Sequence, residues 1–406
     1  IDTWAVDYVL LDEKDQVSGD AVAYRDSRTE GKDRIVESVL SPEELYARTG
    51  IQKQVFNTIY QLTAQKQEHP EQLGRAKSFL MIPDYFHFLL TGVKKQEYTN
   101  ATSTNLVNAR QKEWDYELIS RLGFPTEWFG ELSMPGTVAG SFSPEIQAQV
   151  GFDCTVVLPA THDTGSAFLA VPARDDHAVY LSSGTWSLLG VENEEPITSE
   201  ESRRQNFTNE GGAWYRYRYL KNIMGLWMIQ SIRRELNGVN YVAGKTGRTA
   251  AEKQWSFPDL IAAAKAAKDF SSVVDVDDAG FLAPESMIQA VKDACARSGQ
   301  AVPETVGEIM QCVYLSLARR YAEAIRDLEK LTGKTYTSIN IVGGGCQDDY
   351  LNQLTADASG LPVYAGPVEG TAIGNLLVQM IRAGEFDSLQ SARDAVRKNF
   401  DIRRIQ

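Results

Sequence analysis

Four polar residues that could do chemistry follow an apolar segment near the middle of the chain: Thr161, His162, Asp163 and Thr164. The preceding residues, CTVVLPA, are typical of a strand in a sheet that is covered on both faces. Open α/β sheets bind ligands just beyond the ends of their strands, and a carboxylate there can accept the proton of a substrate hydroxyl during phosphoryl transfer. Asp163 is therefore a candidate general base. Aspartates also cap helices that follow strands, and the local pattern does not separate the two roles.

Two glycine-containing turns are candidates for contacts with an anion. The motif SSGT, at residues 182–185, lies between two strand-like runs, where backbone N–H groups and hydroxyls could converge on a phosphate. Gly343, Gly344 and Gly345 follow the strand-like run SINIV, and a glycine-rich turn of this kind lets a nucleotide approach the backbone. An ordinary hairpin turn and an ordinary tight turn remain open as interpretations of the two motifs.

The first part of the chain predicts a hairpin followed by helices. IDTWAVDYVLLD and VSGDAVAYRDSRT are the two arms of the hairpin, with a polar turn at residues 13–15. Residues 30–92 are mainly helical in pattern, and Ser41, followed by Pro42, marks a helix start. A change of composition at residues 173–176 predicts a domain boundary.

The second part of the chain alternates between strands and helices. HAVYLSSGTWSLLGV predicts a hairpin that turns at SSGT, residues 219–236 predict an apolar helix, and residues 305–332 predict a long amphipathic helix. TSINIV and LPVYA predict strands that are each followed by a helix. This alternation indicates α/β layers.

Composition narrows the class of function. The chain has 406 residues and a formal net charge of -13, whereas a nucleic-acid-binding surface needs a basic face. No apolar run approaches the length of a membrane-spanning helix, and no signal peptide is visible, so we expect a cytoplasmic enzyme. The four cysteines and four histidines are scattered, which predicts reduced, mostly buried thiols and no structural zinc site.

Longer segments make the interpretation more specific. The segments IDTWAVDYVLLD, AYRDSRT, PDYFHFLLTG, EYTNATSTNLVN, THDTGSA, YLSSGTWSLLG, TNEGG, LKNIMGLW, IVGGGCQ and AGPVEGTAIGN occur in this order. Together they resemble the FGGY family of carbohydrate kinases, and the resemblance covers nearly the whole chain. IDTW-x-VD, TNEGG and KNIMGLW resemble more narrowly the members that act on L-rhamnulose.

The resemblance implies a fold and a reaction. The implied fold is a two-domain α/β architecture of the actin-like ATPase (ribonuclease H-like) kind, with the active site in the interdomain cleft. Residues 1–172 would form a sugar-binding domain, incomplete at its start, and residues 173–406 a nucleotide-binding domain. The implied reaction is Mg²⁺-dependent transfer of the ATP γ-phosphoryl group to the C1 hydroxyl of L-rhamnulose. A kinase for another ketose, such as L-fuculose or xylulose, and a non-catalytic sugar- or nucleotide-binding relative are the alternatives.

The resemblance also implies roles for single residues. Asp163 would be the proton acceptor. The sugar would contact Ala5 (through its backbone), His162, Asp163, Thr164 and Asn222, and the nucleotide would contact Thr185, Gln230 and Gly344. The expected partners are a small sugar and ATP, without nucleic acid or membrane, and the expected state is a monomer or a homodimer.

This sequence departs from the family pattern at three places. Ala5 stands where the family usually has glycine, so one methyl group near the sugar could tighten the site. The Asp-x-Gly loop that grips the phosphates and Mg²⁺ in the family has no match here, and neither does the closing C-terminal helix. We therefore expect both elements to lie outside the given sequence, and no metal ligand is assigned.

Overall fold

The computed structural model describes residues 1–242, 245–248, 251 and 253–406. These residues fold into two compact units. The first unit comprises residues 1–172, 191–220 and 370–399, and the second comprises residues 173–190, 221–369 and 400–406. The assignment of one domain to sugar binding and of the other to nucleotide binding stays a prediction.

Helices occur throughout the described chain. They are α1 (Asp33–Glu37), α2 (Pro42–Thr49), α3 (Thr58–Glu68), α4 (Pro70–Arg75), α5 (Ile82–Thr91), α6 (Tyr98–Ala101), α7 (Tyr116–Arg121), α8 (Pro144–Val150), α9 (Asp163–Leu169), α10 (Glu200–Arg204), α11 (Trp227–Leu236), α12 (Phe257–Ala266), α13 (Met287–Arg297), α14 (Val306–Thr332), α15 (Asp349–Ser359), α16 (Gly370–Ala383) and α17 (Leu389–Asn399). Within the described ranges, no helix combines the length and the apolar character that crossing a bilayer requires.

Strands alternate with these helices. They are β1 (Tyr8–Leu11), β2 (Ser78–Met81), β3 (Gln96–Glu97), β4 (Val107–Asn108), β5 (Glu113–Trp114), β6 (Leu132–Ser133), β7 (Val138–Ser141), β8 (Thr155–Val157), β9 (Ala178–Ser183), β10 (Trp186–Asn193), β11 (Thr208–Gly211), β12 (Tyr217–Met224), β13 (Val239–Val242), β14 (Lys245–Arg248), β15 (Ser338–Val342), β16 (Val363–Ala365) and β17 (Arg403–Ile405).

Local capping chemistry sets several helix ends where the sequence predicts them. The Ser41 hydroxyl accepts a hydrogen bond from the Glu44 amide at 3.2 Å, which starts α2. Thr305 and Glu308 form a reciprocal capping box at the start of α14, and Gly333, with a φ of 69°, ends it. The predicted helix start at Ser41 and the predicted long helix at 305–332 are both confirmed.

An aromatic core holds the first unit together. The Phe79 ring lies 5.2 Å from the Phe129 ring and 6.2 Å from the Trp114 ring, measured between centroids. The Trp114 indole donates a hydrogen bond of 3.0 Å to the buried Gln96 side chain, which satisfies its one polar group. Residues of β1 and β2 belong to this core, so the core supports the segment that contains Ala5.

The predicted N-terminal hairpin is only partly correct. The chain does turn where predicted, because the Asp12 amide donates to the Gln16 carbonyl at 2.9 Å. The return arm, however, is reduced to one bridge between Leu11 and Val17, and β1 pairs instead with β2 in antiparallel register. A partner strand from far along the sequence therefore replaces the local one.

The described residues contain a seven-stranded mixed sheet with the order β11-β12-β10-β9-β15-β16-β17. Strand β15 pairs in parallel with both β9 and β16, while β10 is antiparallel to β9. The predicted hairpin that turns at SSGT is therefore confirmed, as are the two strand-to-helix units at TSINIV and LPVYA. Because Ser182 is paired with Val342, the SSGT turn and the glycine turn follow neighbouring strands at the same edge.

Two other predictions of secondary structure need correction. The helix predicted over residues 219–236 begins only at Trp227, and residues 219–224 belong to strand β12 instead. The strand in CTVVLPA exists as β8, but it pairs antiparallel with β7 in a two-stranded sheet, and Thr155 is exposed. The apolar run is thus not a strand of a sheet covered on both faces. Its buried residues pack in a small cluster with Ala139.

Candidate active site

The THDT turn is held by backbone hydrogen bonds to the N-terminal segment. The Thr3 amide donates to the Thr161 carbonyl, and the Asp163 amide donates to the Thr3 carbonyl, both at 2.9 Å. Thr3 and His162 thereby form a parallel bridge. The segment that contains Ala5 and the turn that contains Asp163 are thus fixed against each other within the first unit.

A buried carboxylate, Glu97, anchors the start of the same turn. Its oxygens accept hydrogen bonds from the amide and hydroxyl of Thr99 (2.9 and 2.6 Å), the amide and hydroxyl of Thr161 (3.1 and 2.7 Å), and the amide of Asn100 (3.2 Å). Burial raises the pKa of Glu97, and the hydrogen bonds from Thr99 and Thr161 oppose that rise. Five donors on one carboxylate leave Thr161 little freedom, so the turn is preorganised.

Asp163 presents its carboxylate at this rigid turn. Its side chain is 47% exposed, and Oδ1 accepts hydrogen bonds from the amide (2.6 Å) and the hydroxyl (3.2 Å) of Thr164. Within the part of the chain that the structure describes, Oδ2 accepts no hydrogen bond from another residue. His162 occupies the N-cap position of α9 without a side-chain cap bond, and Asp163 follows it in the first turn, where Oδ1 binds the Thr164 amide, so the helix-cap interpretation stays open beside that of a base. The free oxygen is what a general base requires.

His162 is almost fully buried and contacts two charged residues. Its Nδ1 lies 3.1 Å from Nη2 of Arg218 and 3.3 Å from Oε2 of Glu210, while its Nε2 lies 3.6 Å from Oδ1 of Asp163. Burial alone would raise the pKa of Glu210, but the adjacent Arg218 guanidinium outweighs burial, and the pKa falls to about 2. The histidine ring therefore links an internal ion pair to the candidate base.

The backbone at Ala5 is fixed by the buried Asp7. One oxygen of the Asp7 carboxylate accepts a hydrogen bond from the Trp4 indole at 2.8 Å, and the other accepts one from the Gln61 amide at 3.3 Å. Val6 has a φ of 70°, a conformation that β-branched residues rarely adopt. Burial raises the pKa of Asp7, and the hydrogen bonds from Trp4 and Gln61 oppose the rise. A strained, tightly held loop at a binding site is consistent with a positioning role.

In the second unit, Thr185 and Gln230 lie close together. The Trp227 amide donates to the Thr185 carbonyl at 3.2 Å, and the Gln230 amide donates to the Leu226 carbonyl at 2.8 Å in the first turn of α11. Leu226 in turn donates to the Gly184 carbonyl at 3.0 Å. The SSGT turn therefore joins the start of the helix that carries Gln230.

The glycine turn packs directly on the SSGT motif. A side chain on Gly343 would come within 2.8 Å of the Ser183 carbonyl oxygen, and one on Gly345 would overlap the Ser183 hydroxyl. Gly343 also has a φ of 86°, which favours glycine. Gly344 differs, because nothing lies within 4 Å of the place where its side chain would be. Its backbone thus faces open space that a ligand can enter.

Asn222 carries an unsatisfied polar atom. It is half-buried on β12, and its Oδ1 is buried without a hydrogen-bond partner in the described chain. Buried acceptors are nearly always paired in proteins, so an unpaired one points to a ligand or an ordered water. A ligand hydroxyl would satisfy it.

The predicted site residues thus fall into two groups. The structure brings Ala5, His162, Asp163 and Thr164 together in the first unit, and it joins Thr185 to the helix of Gln230 in the second unit, to which Gly344 and Asn222 also belong. Sequence reasoning missed Glu97, Glu210 and Arg218. Their signal was present, because a charged residue inside an otherwise apolar or uncharged segment, as in TNEGG and RYRYL, indicates a buried partner.

The described residues contain no group of three or more His, Cys, Asp or Glu side chains that could hold a metal ion. Mg²⁺ usually keeps several waters and binds through one or two carboxylates together with substrate phosphates. No ligand set for Mg²⁺ is therefore identified, and no step below depends on one. The cysteines are free; Cys295, Cys312 and Cys346 are buried, whereas Cys154 is exposed, which confirms the prediction of mostly buried thiols.

Comparison with known proteins decides the family. The model of the N-terminal domain of the FGGY family of carbohydrate kinases matches residues 1–170, and the model of its C-terminal domain matches residues 179–383. The chain belongs to the FGGY family of carbohydrate kinases. The family resemblance stated from the motifs is confirmed.

The kinase is similar along its length to two proteins that are named rhamnulokinase. It is 51% identical over 405 residues to the one from Halalkalibacterium halodurans, which covers 100% of this chain and 83% of that protein. It is 50% identical over 402 residues to the one from Oceanobacillus iheyensis, which covers 99% of this chain and 82% of that protein.

A solved structure shows the fold of the kinase. The ligand-bound xylulose kinase from Lactobacillus acidophilus superimposes with a TM-score of 0.79 at 18% identity, covering 100% of this chain and 78% of that chain. At this identity the likeness concerns the fold alone. The predicted two-domain α/β kinase fold is confirmed.

Proposed function

We propose that this kinase transfers the γ-phosphoryl group of ATP to the C1 hydroxyl of L-rhamnulose, with Asp163 as the general base. The observation that carries the proposal is the half-exposed Asp163 carboxylate, whose Oδ2 is free while its backbone is fixed by Thr3. Relatives named rhamnulokinase, at 51% and 50% identity over nearly the whole chain, support the choice of sugar.

The first unit would supply the base and most of the sugar contacts. Oδ2 of Asp163 would accept the proton of the C1 hydroxyl while the hydroxyl oxygen attacks the γ-phosphorus, and the bond from that phosphorus to the β,γ-bridging oxygen would break so that ADP leaves. The Thr164 hydroxyl and the His162 ring lie beside that carboxylate, where they can hold neighbouring sugar oxygens. The Ala5 backbone belongs to the loop that Asp7 fixes. Asn222, with its unpaired Oδ1, would accept a hydrogen bond from a sugar hydroxyl.

The second unit would bind the nucleotide. The open space in front of Gly344 allows an adenosine to approach the backbone, and Thr185 is an exposed residue beside the same pair of strands. Gln230 is half-exposed on the first turn of α11. When bound, Mg²⁺ would neutralise charge on the phosphates, which is most of what phosphoryl transfer needs besides correct positioning.

A panel of ketoses with ATP tests the proposal. Purified kinase is assayed for ADP formation with L-rhamnulose, L-fuculose and D-xylulose, and the position of the phosphate is read from the ¹³C–³¹P couplings of the product. L-Rhamnulose should show the highest specificity constant, because a misdirected hydroxyl would leave a buried contact such as Asn222 unpaired.

The other outcomes separate the alternatives. A higher specificity constant for L-fuculose or D-xylulose would contradict the choice of sugar and keep the kinase activity. Binding of a ketose and of ATP in calorimetry, without any phosphoryl transfer, would identify a non-catalytic relative. Phosphate at a position other than C1 would contradict the proposed orientation of the sugar.

A further inference from the structure

A buried ion pair contacts His162 and has no part in the chemistry proposed above. Glu210 and Arg218 are directly opposite each other on the antiparallel strands β11 and β12, and Nη1 of Arg218 lies 3.0 Å from Oε2 of Glu210. Arg218 is only 1% exposed and Glu210 only 6%. Buried ion pairs often add little net stability, because both charges lose their hydration. Their place beside His162 therefore calls for a functional reason.

Both charged residues approach the same ring atom. Nδ1 of His162 lies 3.1 Å from Nη2 of Arg218 and 3.3 Å from Oε2 of Glu210. A ring nitrogen either accepts a hydrogen bond or donates one, and arginine carries only donors and keeps its protons. A hydrogen bond from Arg218 requires a lone pair on Nδ1, which leaves the proton on Nε2. A hydrogen bond to Glu210 requires a proton on Nδ1, as in the opposite tautomer or in the doubly protonated ring.

The contacts of the two charged groups favour the first arrangement. The pair of Arg218 and His162 has hydrogen-bonding geometry, whereas Oε2 of Glu210 finds no partner with such geometry among the described residues. Arg218 is also held at its Nε, which donates to the Gly211 carbonyl at 3.0 Å. Glu210 then serves to neutralise Arg218, and Arg218 serves to orient the ring.

We infer that Arg218, neutralised by Glu210, is a positioning residue that keeps the proton of His162 on Nε2. Nε2 lies on the side of the candidate base, 3.6 Å from Oδ1 of Asp163. The ring therefore presents a hydrogen-bond donor to an oxygen of the substrate beside the atom that accepts the proton. That this oxygen belongs to a ketose rests on the proposed function, whereas the assignment of the tautomer does not.

The tautomer is measured directly on the full chain. The protein is labelled with ¹⁵N-histidine, and long-range ¹H–¹⁵N spectra show which ring nitrogen carries the proton. The chain has four histidines, so His162→Gln identifies the signals of His162 by their loss. We expect a protonated Nε2 and a bare Nδ1. A proton on Nδ1 in the unmodified protein would overturn the inference, and this result needs no variant of the ion pair.

Two variants separate the roles of the pair. Arg218→Met removes the donor but leaves Glu210, so the proton should move to Nδ1 and the ketose affinity should fall about tenfold, the effect of one lost hydrogen bond. Nucleotide affinity, measured by calorimetry, should stay unchanged. Glu210→Gln keeps Arg218, and Nδ1 should stay bare. An unmoved proton in Arg218→Met, or a moved proton without loss of ketose affinity, contradicts the positioning role.

The test distinguishes this inference from the proposed function. A protein with the proton on Nε2 that phosphorylates no ketose would contradict the proposed function and leave the tautomer assignment standing. An active ketose kinase with the proton on Nδ1 would overturn this inference alone.

Discussion

Replacing Asp163 by asparagine isolates its proposed role as a base. The amide keeps an oxygen that can accept the hydrogen bonds from the Thr164 amide and hydroxyl, so the turn should retain its shape. What is lost is the ability of the other atom, Oδ2, to take a proton. Because the side chain is 47% exposed and its local hydrogen bonds remain, we expect the unfolding free energy to change by less than about 1 kcal/mol.

The expected loss of rate follows from the size of general-base catalysis. Such a base contributes typically about 10²- to 10⁴-fold, so kcat should fall by at least about 10², or roughly 2.7 kcal/mol in the activation free energy. The affinity for ATP should change little, because Asp163 is proposed to act on the sugar and not on the nucleotide. Turnover is followed by ADP release, and both affinities are followed by calorimetry.

A matched control excludes a general effect of removing a carboxylate. Asp387 is exposed and makes no hydrogen bond or ion pair in the described parts of the chain, so Asp387→Asn should leave turnover unchanged. Near-normal turnover of Asp163→Asn would remove Asp163 from the role of base. A large loss of ketose affinity with unchanged kcat would make it a binding residue instead.

Three further predictions follow from the structure. Gly344→Val should weaken ATP binding at least about tenfold in calorimetry and keep sugar binding, because the valine side chain would fill the open approach. Gly345→Val, by contrast, should destabilise the fold, because its side chain would overlap Ser183. Unchanged ATP affinity in Gly344→Val would contradict the nucleotide contact. Asn222→Ala should raise the ketose KM about tenfold without weakening ATP, and equal effects on both would indicate misfolding. Burial and Glu97 raise the pKa of Asp84 in the folded protein. The parent protein should therefore lose stability relative to Asp84→Asn as the pH rises from about 3.9, the pKa of an unfolded aspartate, through the folded pKa. Urea midpoints of the two proteins that run parallel across that range would contradict this prediction.

Local signals made much of the fold predictable. The SSGT hairpin, the long helix α14 and the glycine turn after β15 are each set by residues within a few positions of one another. The residues 219–224 show where this fails. This segment has no periodicity that separates a strand from a helix, and the strand forms because β12 lies between β11 and β10 in the sheet and is buried along nearly its whole length. The break at Gly225, which contacts Ser187 closely, was the one local sign.

The charged residues that hold the site were beyond local reasoning. Glu97 bonds Thr161, which lies 64 positions later, and Arg218 reaches back 56 positions to His162. No spacing rule connects residues so far apart, because the contacts depend on which strands become neighbours. The turn that contains the candidate base was predictable, since a polar turn after a strand is a local pattern, while its role as a base stays a prediction. Sequence could mark its supporting residues as buried charges, but their partners became known only with the tertiary structure.

The arrangement around the THDT turn supports the proposal that Asp163 accepts a proton. Glu97 fixes Thr161 through its amide and hydroxyl, and Thr3 fixes the backbone of Asp163. Arg218 fixes the ring of His162. Among these groups, Oδ2 of Asp163 is left without a hydrogen bond from the described residues, so proton transfer to it breaks no contact that holds the site. Fixed surroundings with one free acceptor are what preorganised catalysis requires, because little reorganisation then accompanies the reaction.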